Sequence, residues 1–185
     1  FDINSTRIKQ LKSSIDINKQ VTEFDFESPK TILYTDNVLD IVDSKIYIIT
    51  VPTPVDENKE PYLEPLIQAS KLVGSVLKID DIVIYESTVY PGATEEICIP
   101  ILESESNLNY NKEFFCGYSP ERINPGDKIH SLTDIVKITS GSNLKTADEI
   151  DKLYGFRRIS RVSGPGCRDA LWQPAASCGG LWRPV

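Results

Sequence analysis

The chain has 185 residues, 40% hydrophobic and 25% charged, with a formal net charge of −7 and a pI of about 4.8. That acidic balance argues against nonspecific nucleic-acid binding, which needs a basic face, but not against nucleotide binding through helix N-termini and backbone N–H groups. No run approaches the roughly 18 apolar residues of a membrane-spanning helix, no signal peptide opens the chain, and four scattered cysteines with a single His130 point to a reducing, cytoplasmic setting rather than a metal site.

Phe1–Ile3 reads as the end of a strand, so the text is expected to begin inside a domain. Ile8, Leu11 and Ile15 then recur at helical spacing, with Asn4 or Ser5 able to cap the helix start. Lys30–Tyr34 is a short strand candidate, and Asp36–Asp43 a short helix with Asp36 as its cap. Lys45–Val51 (KIYIITV) is a buried strand stopped by Pro52 and Pro54. Glu64–Leu77 carries apolar residues on one helical face.

Asp81–Gly92, DIVIYESTVYPG, is the stretch around which the rest is organised. It opens as an apolar, β-branched run, turns polar at Glu86-Ser87-Thr88 and closes on the turn pair Pro91-Gly92. Ala93–Leu102 follows as a helix, with Pro100 predicting a kink or an early end. Glu113–Tyr118 is a further strand ending in Ser119-Pro120-Glu121-Arg122, Ile135–Ile138 another, and Asn143–Leu153 a helix.

Strands alternating with helices predict an α/β fold: a Rossmann-like, doubly wound parallel sheet. In such a sheet the carboxyl ends of the strands share one edge, where ligands bind. Val51-Pro52-Thr53-Pro54, Ser87-Thr88 and Ser119-Pro120-Glu121 are therefore expected at one crevice. Ser87 and Thr88 either face a ligand or hold the loop backbone. Asp2 is placed to accept hydrogen bonds from ribose hydroxyls or to cap the next helix. Arg7, one turn on, covers an adenine or is solvated. Glu121 is the best general-base candidate, or else a solvated partner of Arg122. Cys98 and Cys116 read as core thiols.

Composition shifts near residue 156. All thirteen lysines lie at or before Lys152, while five of the seven arginines and both tryptophans lie at or after Arg157. Residues 1–155 are expected to form a partial nucleotide-binding domain, and 156–185 an aberrant, disordered tail with no sustained period.

FDINSTRI at 1–8, VPTP at 51–54, ESTVYPG at 86–92 and YSPERINPGD at 118–127 resemble the UDP-glucose/GDP-mannose dehydrogenases, and SPERINPGD most resembles the branch acting on UDP-N-acetyl-hexosamines, including Vi-antigen-type polysaccharide enzymes. The resemblance implies NAD as cofactor, a UDP-sugar as substrate, and a two-step oxidation of the sugar C6 alcohol to a carboxylate. It matches Asp2 and Arg7 to the adenosine end, and Val51, Pro52, Thr53 and Pro54 to the loop against NAD. Ser87 and Thr88 match the pair near the nicotinamide, the threonine positioning a catalytic water. Glu121 matches the glutamate of thioester hydrolysis, and Arg122, Ile123 and Asn124 the sugar-lining segment. Where UDP-glucose-specific members carry a second glutamate, this sequence has Pro125.

The family's Gly-x-Gly-x-x-Gly loop, its catalytic cysteine with partner aspartate, and the central helix through which members homodimerise have no counterpart in this text. The expectation is therefore a fragment that binds NAD poorly and is not a competent dehydrogenase as it stands. A noncatalytic nucleotide-binding module is the alternative, and a hydroxy-acid dehydrogenase a third.

Overall fold

Every side chain of Ile82–Tyr85 is buried, and this strand anchors a mixed sheet whose layers explain the alternation of the sequence. The computed structural model describes residues 1–18, 32–55, 60–120 and 137–155, together with the backbone of 160–162. The chain divides into two compact units, 1–44 and 45–185.

In the first unit, α1 spans Ser5–Lys12. The Asn4 side chain accepts from the Thr6 and Arg7 N–H groups, so Asn4, not Ser5, is the cap. The short expected helix after it is one turn of 3-10 helix, Val38–Ile41, capped by Asn37 rather than Asp36. The strands expected at 1–3 and 30–34 do not form among the described residues. One backbone bond, Asp2 N–H to the Thr35 carbonyl at 3.1 Å, joins the two segments, and a single bond does not make a ladder.

In the second unit, β1 (Ile46–Ile49), β2 (Ile82–Tyr85) and β3 (Phe115–Tyr118) run parallel, with Ile46, Ile82 and Phe115 in register. The links between them contain α2 (Glu64–Gly74, Pro65 in its first turn) and α3 (Ile99–Ser106). β1 was expected to be buried throughout, but it stands at the sheet edge and Ile48 is 45% exposed. β4 (Ile138–Gly141) lies three residues later than expected and runs antiparallel to β3, so the sheet is not wholly parallel. α4 (Leu144–Tyr154) follows, capped by Asn143. β5 (Ser160–Val162) adds a parallel edge strand to β4 from within the segment that composition set apart; the rest of 156–185 lies outside the described residues.

Successive residues of β2 point to opposite faces. Ile82 and Ile84 pack on Ile150 of α4, while Tyr85 on the other face hydrogen-bonds Ser70 of α2 at 2.8 Å. The two faces thus carry different helices, as a doubly wound sheet requires. Pro100 has no N–H for the Glu96 carbonyl. The chain meets this with a π-turn over Thr94–Cys98 before α3, and the helix runs on past Leu102 to Ser106. It ends at Asn107, whose left-handed φ of 58° closes the last turn. At the amino end of β2, Asp81 is fully buried and accepts from Lys45 Nζ (3.0 Å) and the Lys78 N–H (2.8 Å).

Candidate functional site

The register that pairs Ile49 with Tyr85 and Tyr85 with Tyr118 brings the carboxyl ends of β1, β2 and β3 level. Two further backbone bonds extend the ladder one step: Glu86 N–H to Ile49 O, and Ser119 N–H to Tyr85 O, both at 2.9 Å. The rim therefore opens at Thr50, Glu86 and Ser119.

Beyond it, two side-chain hydroxyls tie the loops together. Ser87 is buried and donates to the Val51 carbonyl at 2.6 Å. Thr53 donates to the Thr88 carbonyl at 2.5 Å. Val51, Pro52, Thr53 and Pro54 thus lie against Ser87-Thr88, held by both proton donors. Pro52 and Pro54 are exposed, and the Pro54 carbonyl accepts the Tyr62 N–H at 2.8 Å, which folds the loop back on itself. The Thr88 side chain is exposed at the rim. Ser119 is fully buried, and its hydroxyl has no partner among the described residues. Glu121, Arg122, Ile123 and Asn124 lie outside the described residues.

A cluster beside this rim was not anticipated from the sequence. The Glu86 carboxylate accepts from Lys137 Nζ and, at 2.5 Å, from the Tyr154 hydroxyl. The Lys137 ammonium also lies 4.6 Å from the centre of the Tyr154 ring. Burial, then the Glu86 carboxylate, pushes the Tyr154 phenol far above its usual range, so it stays a donor. Nothing local signals this cluster, because its members are 51 and 68 residues apart.

In the first unit, a cavity of about 410 Å³ is walled by residues that include Asp2, Asn4, Arg7, Gln10 and Asn18. Asp2 Oδ1 accepts the Asn4 N–H at 2.8 Å, so the acid supports the residue that caps α1 instead of capping the helix itself. Arg7 Nη2 is 2.7 Å from Asp16 Oδ1, and Arg7 Nη1 is buried with no hydrogen-bond partner among the described residues. A carboxylate acceptor and a guanidinium on one wall suit a polar ligand bearing hydroxyls, which is what a ribose presents.

The chain matches the model of the UDP-glucose/GDP-mannose dehydrogenase family, NAD binding domain, over residues 1–156. It is 52% identical over 154 residues to a UDP-N-acetyl-D-glucosamine 6-dehydrogenase of Pseudomonas aeruginosa, covering 83% of this chain and 36% of the relative. Protein CapL of Staphylococcus aureus is 50% identical over the same shares of the two chains. Among solved structures, a UDP-D-ManNAc dehydrogenase from Pyrococcus horikoshii superposes with a TM-score of 0.76 at 30% identity, over 88% of this chain and 40% of that one. The chain thus spans about a third of the length of the curated relatives it matches.

Proposed function

Because the chain belongs to the UDP-glucose/GDP-mannose dehydrogenase family, we propose that it serves the NAD-dependent oxidation of a UDP-N-acetyl-hexosamine at C6, from alcohol to carboxylate, for surface polysaccharide synthesis in the cytoplasm. The observation that carries this reading is the 52% identity over 154 residues to an enzyme of that name. Pro125, standing where UDP-glucose-specific members have a second glutamate, supports an acetamido sugar. Among the described residues no helix is long and apolar enough to cross a membrane, which is compatible with that setting.

The donor sets fit the cofactor. Asp2 supplies the acceptor a ribose needs and Arg7 a cation beside the adenosine, on the wall of one cavity. At the sheet rim, Val51, Pro52, Thr53 and Pro54 form a stiff loop pinned by Ser87, against which a flat ring can lie. NAD, when bound there, supplies the acceptor for the hydride leaving C6. Thr88, exposed beside that loop, is assigned to orient a water or the substrate hydroxyl. Glu121 is assigned as the general base of the hydrolytic step, and Arg122, Ile123 and Asn124 as sugar contacts. Homodimerisation through the family's central helix is proposed for the full-length enzyme only.

The test is a transplant. Residues 1–155 replace the matching segment of the Pseudomonas aeruginosa relative, and NADH is followed with UDP-N-acetylglucosamine. The expected result is about two NADH per sugar oxidised, the count that a four-electron oxidation requires. A folded hybrid that binds the nucleotide sugar yet makes no NADH would overturn the proposal and leave a noncatalytic binding module.

A further inference from the structure

We infer that Asp16 sets the cofactor preference of the first-unit cavity, by committing the Arg7 guanidinium to a carboxylate and so withholding it from a ribose 2′-phosphate. This deepens the NAD reading above and rests on it. In a Rossmann-type site, an acid after the second strand accepts from the ribose 2′-hydroxyl and rejects a 2′-phosphate, whereas an arginine nearby welcomes one. Asp2 and Arg7 share one wall, so on their own they pull in opposite directions.

Asp16 resolves the conflict. Its Oδ1 takes Arg7 Nη2 at 2.7 Å, and the same oxygen accepts the Asn18 N–H at 3.1 Å, which ties the carboxylate to its turn. The Asp16 side chain is 1% exposed and that of Arg7 23%, so salt screens the pair little. Arg7 keeps Nη1 buried and unpartnered among the described residues. The cation is therefore held in place with its charge answered on one side and a donor unspent on the other. Without Asp16 the guanidinium has no ion-pair partner among the described residues, and a phosphate is an anion that would answer its charge.

The 185-residue chain is titrated by calorimetry with adenosine 2′,5′-bisphosphate and with 5′-AMP, and the transplanted enzyme with NADP and NAD. Asp16→Asn, which keeps the shape and removes the charge, is expected to shift the affinity ratio toward the 2′-phosphorylated ligand by about tenfold, the scale of one charge-assisted hydrogen bond. Asp16→Glu keeps the original ratio, and Asp16→Asn with Arg7→Gln loses the gain. An unchanged ratio in Asp16→Asn, or a gain that survives in the double variant, overturns the inference. Should Asp16→Asn fail to fold, Arg7→Gln alone decides. A fall confined to the 2′-phosphorylated ligand means that Arg7 already serves the phosphate, and the inference fails; an unchanged ratio supports it. If neither wild-type protein binds 5′-AMP or NAD, the NAD reading falls and takes this inference with it.

Discussion

Tyr154 at the end of α4 donates to Glu86 at the carboxyl end of β2, 2.5 Å away across 68 residues of sequence. The same oxygen takes the Lys137 ammonium. Three segments distant in sequence are thus fastened beside the candidate rim. Glu86 and Lys137 are 16% and 13% exposed, so this is a pair with little water to replace a lost partner. Tyr154→Phe is expected to cost about 1.5–3 kcal/mol, a hydrogen bond to a charged group. Glu86→Ala is expected to cost about 3 kcal/mol, because it strands the lysine. Glu86→Ala combined with Lys137→Met should recover part of that loss. Urea midpoints of wild type, Tyr154→Phe, Glu86→Ala, Lys137→Met and the double variant measure this, and a double variant as unstable as the sum of its two singles would show that the pair does not interact.

Glu95 gives the chain a pH dependence of definite sign. It lies in the π-turn with one carboxylate oxygen buried and unpartnered among the described residues. Burial raises its pKa above the usual carboxylate value, and the neighbouring Glu96 adds to the shift. The folded state therefore holds this proton more tightly than the unfolded state does. The stabilisation is full below the ordinary glutamate pKa and is lost as pH rises through the raised folded value. Glu95→Gln should melt higher than wild type at about pH 7 and no higher at about pH 3, below the ordinary glutamate pKa, where protonated glutamate and glutamine are both neutral. Glu95 is only half-buried, so the gain is expected to be a fraction of about 1 kcal/mol. Thermal melts at the two pH values check it, and an equal gain at both would exclude ionisation as the cause.

Cys98 and Cys116 are both fully buried thiols, and neither is in a disulfide. Burial pushes the Cys98 thiol up to about 11, so almost no thiolate exists near neutrality. Iodoacetamide at neutral pH should leave the peptides carrying Cys98 and Cys116 unlabelled in the native chain and label them in denaturant. Peptide mapping by mass spectrometry reads the outcome. Rapid native labelling of Cys98 would contradict its place as a core thiol between Ser70 and Tyr85.

The readable part of the fold followed from local pattern. The runs IYII and IVIY, the apolar face of α2 and the helix start at Asn143 all carry their signal within a few residues. The misreadings came from three kinds of competition. At 36–43, two adjacent residues could both cap, and Asn37 won because its side chain reaches the Leu39 N–H. At Pro100 the missing donor was legible, but not that a π-turn would absorb it in place of a helix stop. At 1–3 and 30–34 apolar residues suggested strands, yet strand pairing is a property of neighbours and not of the segment. The site divided likewise. The polar strand ends announced themselves as Ser87-Thr88 and Val51–Pro54, whereas Glu86, Lys137 and Tyr154 meet only through tertiary packing.

Ser87 offers the sharpest test of how the rim works. The family resemblance places its position after β2 near the nicotinamide only as a proposal, whereas its proton goes to the Val51 carbonyl, 2.6 Å away. Thr53 performs the reciprocal task on the Thr88 carbonyl. Both hydroxyls therefore act through loop placement. In the transplanted enzyme, Ser87→Ala should raise the KM for NAD about three- to tenfold, the cost of one hydrogen bond, and lower kcat less. Thr53→Val should act in the same direction. The double variant should cost less than the two singles together, because freeing one end of the loop already releases the other. Thr88→Val, which leaves both backbone acceptors in place, should instead lower kcat with KM for NAD nearly unchanged, as expected of a side chain that orients a water. Steady-state kinetics on the four proteins separate the two roles, and a Ser87→Ala enzyme that loses kcat while keeping its KM would assign the serine to the chemistry itself.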